Sequence, residues 1–269
     1  MKIPFALCSA CLLVSETLSF QTSTVFHTPH QDSRCVRVKA ASSDSSTYDS
    51  ETSSDTERAD ALKKDLLSLA ASYDRGFGAS PSARNRVDTI IRELEVYNPE
   101  TEASRGINGD DTSPLAGSWR MVWTTASDVL VLGASPVAAV GAIYQIFEPP
   151  IVTNVIDFIP RLQALLPPSV VPSSLVRAEV QTKASLRSGF PNRVGLLFEA
   201  VKLQPVEILG MSADNLPPFA ANLPKLPGTD NPDGPGYFDV AYLDDELLII
   251  RQNAPGGLFA LIKVTDSDP

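Results

Sequence analysis

The cysteine and histidine residues, the side chains most often used for nucleophilic or acid–base catalysis and for binding zinc, all lie near the N-terminus. They are Cys8, Cys11, His27, His30 and Cys35. The sequence after residue 35 therefore cannot supply a Cys nucleophile, a His general base, or a zinc or haem site with nitrogen and sulfur ligands. Chemistry there would have to use carboxylate, Lys, Tyr or Ser side chains.

Five such side chains lie within apolar segments and are the candidates for a barrel enzyme acting on an isoprenoid or lipid: Tyr144, Asp157, Glu199, Asp239 and Tyr242. That enzyme would need paired carboxylates on an apolar wall. Strand alternation places Asp239 on the opposite face from Tyr242, so no convergent pair is predicted. We expect no catalytic, cofactor-binding or metal-binding residues, and a protein that is not an enzyme.

The two tryptophans lie at the start of a long run of strand patterns. Trp119, Met121 and Trp123 alternate with the intervening residues, which predicts a strand with one buried face. On the first strand of an up-and-down barrel that face meets the cavity floor, and Gly117-x-Trp119 resembles the lipocalin signature. The three side chains are predicted to line a ligand cavity or to form plain apolar core.

Strand patterns separated by turn signals continue from residue 115 to residue 264. The clearest covers residues 175–186, where Val176 and Val180 share an apolar face and the other face is polar. A sheet with one solvent-exposed face is typically antiparallel. The predicted fold class is mainly β: a lipocalin-like antiparallel β-barrel of eight or so strands, whose interior can hold one small ligand.

Two apolar stretches interrupt the strands. Residues 129–147 carry no charge, but Gly133, Pro136 and Gly141 break the stretch, so we expect a short helix or loop over one barrel end, then a strand, rather than a membrane span. Residues 162–174 are apolar and proline-rich, and are predicted either to pack against the barrel or to contact a membrane or partner.

Two amphipathic α-helices are predicted to precede the barrel, within residues 57–98. Ser54-x-x-Glu57 would be the capping box that begins the first helix. Ser80 and Pro81 are the expected N-cap and first residue of the second helix. Residues 101–113, between the helices and the barrel, are predicted to form a mobile, solvated loop.

The N-terminus has the composition of a targeting segment. Residues 1–41 combine a signal-like apolar run with a Ser-, Thr- and Arg-rich part, and Phe20 at their junction resembles the bipartite presequences of algae with complex plastids. Ordinary secretion is the alternative, although the lack of later cysteines disfavours an oxidising destination. Residues 42–56 are predicted to be a disordered linker.

The net charge of the chain is −10, from 22 basic and 32 acidic residues. No stripe dense in Lys or Arg is present in the sequence. This composition excludes nucleic acid as an expected partner and disfavours polybasic docking to anionic lipid.

Three blocks of residues resemble the plastid-lipid-associated protein (fibrillin) family, and together they span a domain at residues 57–264, with a helical hairpin at 57–98 and a barrel at 115–264. One departure is Gln252, which follows Arg251 where the family tends to have Gly. The blocks are Asp74-Arg-Gly76, Ala79-Ser80, Arg84, Ile90, Ile91, Leu94-Glu95 and Asn98-Pro99; Leu115-x-Gly117-x-Trp119 and Trp123-Thr-Thr125; and Phe238 to Asp244, Leu247, Ile249, Arg251 and Gly257-Leu-Phe259.

The resemblance implies a chloroplast protein at thylakoid or plastoglobule surfaces, with prenylquinones, carotenoids or acyl lipids as ligand classes and no cofactor. We therefore expect a non-catalytic protein that holds or docks on apolar lipid or isoprenoid molecules. A scaffold for a quinone-biosynthesis or photosystem partner is the main alternative, and a barrel enzyme is a further one. The protein partner stays unknown.

Arg251 is the last cavity candidate, beside Trp119, Met121, Trp123, Val176 and Val180. In lipocalin-like barrels a late-strand Arg lies over the indole of the Gly-x-Trp strand, and a guanidinium stacks well on that ring. This similarity predicts that Arg251 covers Trp119. The alternative is that the Arg251 side chain points outward to solvent, because Leu248 and Ile250 could equally well occupy the inner face of this strand.

We predict that residues 20–41 contribute nothing to the folded domain, because they lack an apolar pattern that could pack. A chain that begins at Ser42 should unfold at the same temperature as one that begins at Phe20, as measured by circular dichroism. A shift of several degrees would show that this segment packs on the domain.

Overall fold

The helices of the protein precede the barrel or cover its ends. The computed structural model describes residues 46–264, apart from residues 168, 214, 224–235 and 254. The predicted targeting segment, residues 1–41, lies outside the described residues. The helices are α1 (Ser46–Ser72), α2 (Pro81–Val96), α3 (Ser127–Leu132) and α4 (Arg161–Leu165), with a 3-10 turn at Asp74–Gly76.

Eight antiparallel strands form a closed barrel, which confirms the predicted fold class. Neighbouring strands pair in the order β4-β3-β2-β1-β10-β9-β8-β5, and β4 pairs with β5 to close the wall. Two short strands, β6 and β7, pair with β5 and lie outside the closed wall. The strands are β1 (Gly117–Thr124), β2 (Ala138–Glu148), β3 (Ile151–Pro160), β4 (Leu175–Leu186), β5 (Arg193–Ile208), β6 (Met211–Ser212), β7 (Phe219–Asn222), β8 (Tyr237–Leu243), β9 (Leu247–Gln252) and β10 (Gly257–Val264).

The two ends of the barrel differ in what covers them. We call the end with Gly117, Glu148 and Val264 the floor and the end with Ala138 and Ile208 the mouth. The segment between α2 and β1 crosses the floor, where Ala103, Ile107 and Leu115 are fully buried in the barrel core. The prediction of a mobile, solvated loop for residues 101–113 is therefore wrong at Ala103 and Ile107, because their apolar side chains help to close the barrel.

The start of the helix is as predicted for α2 but not for α1. The Ser80 hydroxyl accepts a hydrogen bond from the Ala83 amide, and Pro81 is the first helical residue. Helix α1 begins at Ser46, inside the predicted linker of residues 42–56, so Ser54 does not cap it. Residues 54–58 of α1 are exposed and packing begins at Ala59.

Apolar residues form two separate clusters, one on each side of the barrel wall. The first fills the barrel interior and includes Trp119, Met121 and Phe147. The second lies between the hairpin and the outer surface of β1, β8, β9 and β10, and includes Leu66 and Ile91. The apolar stripe of each helix therefore packs against the wall, as the helical spacing predicts.

The turn between the two helices approaches β1 closely. Gly76 has φ of +98°, and a Cβ there would lie 2.3 Å from the Thr124 carbonyl oxygen. Only glycine fits this position, since any side chain would push the turn away from the strand. Arg84 holds the same turn by donating to the Gly76 and Ala79 carbonyls.

We predict that Leu66→Ala lowers the free energy of unfolding by about 2–4 kcal/mol, because Leu66 is fully buried between α1 and the barrel. The neighbouring Leu67, which is 40% exposed, offers a matched control, and Leu67→Ala should change it by less than about 1 kcal/mol. Urea unfolding followed by circular dichroism measures both. Equal effects would mean that the hairpin is not part of the cooperative unit.

Candidate functional site: the barrel interior and its mouth

Trp119 and Met121 lie in the barrel interior, near the floor. The Trp119 indole is fully buried and its Nε1 donates to the Leu115 carbonyl oxygen at 2.8 Å. The Lys263 ammonium lies 5.2 Å from the centre of the Trp119 ring. A cation therefore does cover this indole at the barrel floor, but it comes from β10, where Lys263 pairs with Trp119 across the two strands.

Trp123 lies on the opposite face of the wall from Trp119, so the predicted common face is wrong. A bulge in β1 leaves Val122 as an extra residue, because Met121 pairs with Leu261 while Trp123 pairs with the next residue of β10, Ala260. A bulge of one residue reverses the direction of every side chain after it. Trp123 consequently packs with the hairpin cluster beside Ile91.

Arg251 also points out of the barrel, towards α2. Its guanidinium donates to the Glu95 carboxylate, with Nε at 2.9 Å, and lies 3.7 Å from Asp88. The predicted stacking of Arg251 on Trp119 is therefore wrong: Leu248 and Ile250 take the inner face of β9. Arg251 and Trp123 instead line a cavity of about 280 Å³ between α2 and the outer wall.

A polar cluster around Asp244 joins the helical hairpin to the C-terminal part of the barrel. Lys63 on α1 lies 3.1 Å from the Asp244 carboxylate, and the Tyr242 hydroxyl donates to the same carboxylate at 2.8 Å. The other carboxylate oxygen accepts from the amides of Glu246 and Leu247. The two ends of the domain are therefore connected through Asp244.

Burial and hydrogen bonding oppose each other in this cluster. Burial alone would raise the pKa of Asp244, but the amides of Glu246 and Leu247, with Tyr242 and Lys63, outweigh it and lower the pKa. Burial, followed by the bond to Asp244, raises the pKa of Tyr242. The ionised carboxylate and the neutral phenol are thus the forms that the fold stabilises.

Val176 and Val180 lie on the same face of β4 as the buried residues Ala178, Thr182 and Ala184, since all five occupy every second position of the strand. This is the inner face that the sequence predicts. Val180 is half-buried and Val176, nearer the mouth, is exposed. The inner-face residues Ile156 and Phe158 on β3 are half-buried as well. The interior is therefore tightly packed at the floor and less so towards the mouth.

The mouth is surrounded by exposed apolar side chains. Arg161 ties two of the segments that carry them, since it donates to the carbonyls of Gly133 and Ser135. The amides of Leu209 and Gly210 donate to Ser174 and Ser173, which joins the turn after β5 to the start of β4. We call this set the mouth rim: Val131, Val137, Leu162, Leu165, Leu166, Val170, Val176, Ile208, Leu209, Met211, Leu216 and Phe219.

The side chains proposed for an enzyme alternative do not converge in the barrel. Asp157 is bound by Arg177 at 2.8 Å and 3.0 Å, and Asp239 by Arg193 at 2.7 Å and 3.0 Å. Tyr242 belongs to the cluster around Asp244. Within the described part of the chain, no group of three or more His, Cys, Asp or Glu side chains is placed to hold a metal ion.

An eight-stranded antiparallel barrel with an apolar interior, closed at one end and bordered by apolar side chains at the other, is a lipocalin-like barrel. The sequence model of the PAP_fibrillin family matches residues 60–262, from α1 to β10. The chain belongs to this family of plastid-lipid-associated proteins. No solved structure matches it.

Curated relatives carry the same family name. The chain is 26% identical over 237 residues to the probable plastid-lipid-associated protein 3, chloroplastic, of Oryza sativa subsp. japonica, covering 75% of this chain and 58% of the relative. It is 27% identical over 203 residues to plastid-lipid-associated protein 6, chloroplastic, of Arabidopsis thaliana, covering 71% and 66%.

A third relative is named for an apolar pigment. The chain is 26% identical over 231 residues to the chromoplast-specific carotenoid-associated protein C2 of an Oncidium hybrid cultivar, covering 75% of this chain and 68% of that protein. These relatives are chloroplastic or chromoplastic, and plastid localisation follows for this chain. The chain spans less than two thirds of the length of the first two relatives.

Three features of the site were missed in the sequence. Nothing in the sequence distinguishes Lys263, which covers Trp119, from the other basic residues. The β1 bulge leaves no signal, since Val122 continues the alternation as well as any residue. Residues 208–219 at the mouth rim could have been found, because they are apolar and almost uncharged.

We predict that Asp244→Asn lowers the free energy of unfolding by about 1–3 kcal/mol at neutral pH, because it removes a charged acceptor of four hydrogen bonds. The folded pKa of Asp244 lies below its ordinary value of 3.8, so this stability is present above that pH and is lost as pH falls through the folded value. Urea unfolding at several pH values measures the difference between the two proteins.

The difference should therefore shrink in acid. Asp245→Asn, at the exposed neighbouring position, is the matched control and should have little effect at any of these pH values. A loss in Asp244→Asn that persists unchanged well below pH 3.8 would contradict the assignment of the effect to the carboxylate charge.

Proposed function

We propose that this protein is a non-catalytic, lipid-associated protein that docks by its mouth rim on an apolar lipid surface and holds apolar molecules in the barrel. Thylakoid membranes and plastoglobules are the plastid surfaces of this kind. The observation that carries the proposal is the gathering of exposed apolar side chains at the mouth, the barrel end opposite the closed floor. Large exposed apolar patches on soluble domains mark sites of contact with lipids or partners.

The charge distribution favours a lipid surface as the occupant of the mouth rim. Residues 129–147 and 162–176 contain no charged residue, and residues 208–223 contain one, Asp214. Asp128, next to the first of these segments, has its pKa raised by burial, which makes its neutral form easier to reach. Because charge is costly in the hydrocarbon region of a bilayer, these uncharged rim segments can enter the interface more easily than the rest of this acidic chain.

The proposed contact is peripheral. Among the described residues, no helix has both the length and the apolar content required to span a bilayer. The longest uncharged stretch, residues 129–147, is divided between α3 and β2. The rim would therefore lie in the interface, with its side chains buried to the depth of the acyl boundary.

The test is flotation of the full chain with phosphatidylcholine vesicles, with and without anionic lipid. We expect binding that needs no anionic lipid and survives about 1 M NaCl, because apolar burial is not screened by salt. Leu165→Glu should reduce the partition coefficient about tenfold or more, since Leu165 is 73% exposed at the rim and burying a Leu is worth about 2 kcal/mol.

Val96→Glu is the control for this substitution. Val96 is 80% exposed at the end of α2, far from the mouth, so its replacement should leave flotation unchanged. Equal losses in both variants, or binding that salt abolishes, would contradict docking through the rim. Failure of the unmodified chain to float would favour a protein scaffold instead.

A further inference from the structure

Three polar side chains lie on the inner face of the barrel wall between the floor and the mouth. Gln145 on β2 pairs with Trp119 on one side and with Asn154 of β3 on the other. Residues that pair across antiparallel strands project to the same face, so both amides share the inner face with Trp119. Thr182 pairs with Val152, the next inner-face position along β3 from Asn154.

These polar groups lack the partners that buried groups normally have. Gln145 is 8% exposed and Thr182 is fully buried. The Thr182 hydroxyl is fully shielded from solvent and has no hydrogen-bond partner. Among the described residues the Gln145 and Asn154 amides also make no hydrogen bond to another group, although Asn154 is half-buried and of the three groups only the Thr182 hydroxyl is completely buried. A buried polar group without a partner costs free energy, so its presence requires an explanation.

We propose that Gln145, Asn154 and Thr182 form an anchor for the neutral, hydrogen-bonding end group of an apolar guest that enters through the mouth. This inference rests on the proposed function, and it adds the class of guest: a long apolar molecule that ends in a carbonyl. Two amides and a hydroxyl can all donate to a carbonyl oxygen. Cavities for apolar ligands commonly use a few such groups to fix orientation.

The surrounding charges favour a neutral end group. Lys263 lies on β10, which is separated by β1 from the strand that carries Gln145, and its side chain is exposed at the floor. The ion pair of Asp157 with Arg177 lies on the outer face of the wall. A carboxylate or phosphate at the anchor would therefore be buried without a cation.

The path from the mouth to the anchor is apolar. Beyond Asn154, the inner-face residues of β3 are Ile156 and Phe158, and those of β4 are Val180, the buried Ala178 and Val176. Ile156, Phe158 and Val180 are half-buried rather than buried. A guest lying along these residues would place its chain against apolar side chains and its end group at the anchor.

The test compares a methyl ketone with an alkane of equal length, 2-tridecanone and tridecane, in displacing a neutral apolar fluorophore from the full chain. We expect the ketone to bind about fivefold to tenfold more tightly, the effect of one to two hydrogen bonds. The double variant Gln145→Leu with Asn154→Leu should bind both compounds alike. Gln181→Leu, which alters an exposed glutamine on the outer face of β4, should keep the preference.

The two tryptophans report where the guest lies. A decyl-substituted benzoquinone quenches indoles that it touches, so it should quench the Trp123→Phe variant, in which only Trp119 emits. The Trp119→Phe variant, whose remaining indole lies outside the barrel, should show little quenching. Quenching of Trp123 alone would overturn the inference, because it would place the guest beside α2.

Thermal stability distinguishes a ligand-binding role of these side chains from a structural one. Replacing a buried amide that has no partner by Leu should keep or raise the thermal midpoint, whereas a fall of several degrees in Gln145→Leu would show a structural role and overturn the inference. A lost ketone preference must also leave vesicle flotation unchanged. If the chain floats but never prefers the ketone, the anchor alone is wrong; if it neither floats nor binds either compound, the proposed function is wrong as well.

Discussion

One part of the barrel wall is packed on both faces, and the rest of the structure depends on this constraint. Leu248 and Ile250 on β9 face the interior, while Leu247 and Ile249 face the hairpin, and all four are buried. Such a strand gains apolar burial on both sides, as strands between two layers do. The hairpin is therefore an outer layer over β1, β8, β9 and β10.

The opposite wall has a different exterior. On β3, β4 and β5 the outer face carries ion pairs, Asp157 with Arg177 and Glu179 with Lys202, and the strands extend past the hairpin to the mouth. Towards the mouth, the inner-face residues Ile156, Phe158 and Val180 are half-buried and Val176 is exposed. The same barrel thus combines a packed floor with a mouth bordered by exposed apolar side chains, and the proposed docking on a lipid surface uses this difference.

Polar contacts join the two ends of the domain at the hairpin. Glu95 binds Arg251, and the Asn98 side chain accepts from the Leu243 amide at 2.9 Å. Residues of the entry motif therefore meet those of the closing motif across more than 140 positions of sequence. The resemblance between separate sequence blocks and the family has a physical basis, since the blocks form one joint that positions the hairpin on the wall.

The sequence by itself determined the class of fold, the helical hairpin with its Ser80 cap, and the lack of Cys and His chemistry after residue 35. These features follow from local periodicity, from capping and from composition. Only the tertiary structure decided which face each side chain occupies: the β1 bulge separates Trp123 from Trp119, and Glu95 draws Arg251 outward. Both outcomes depend on partners far away in sequence, on β10 and α2, which alternation along a single strand cannot reveal.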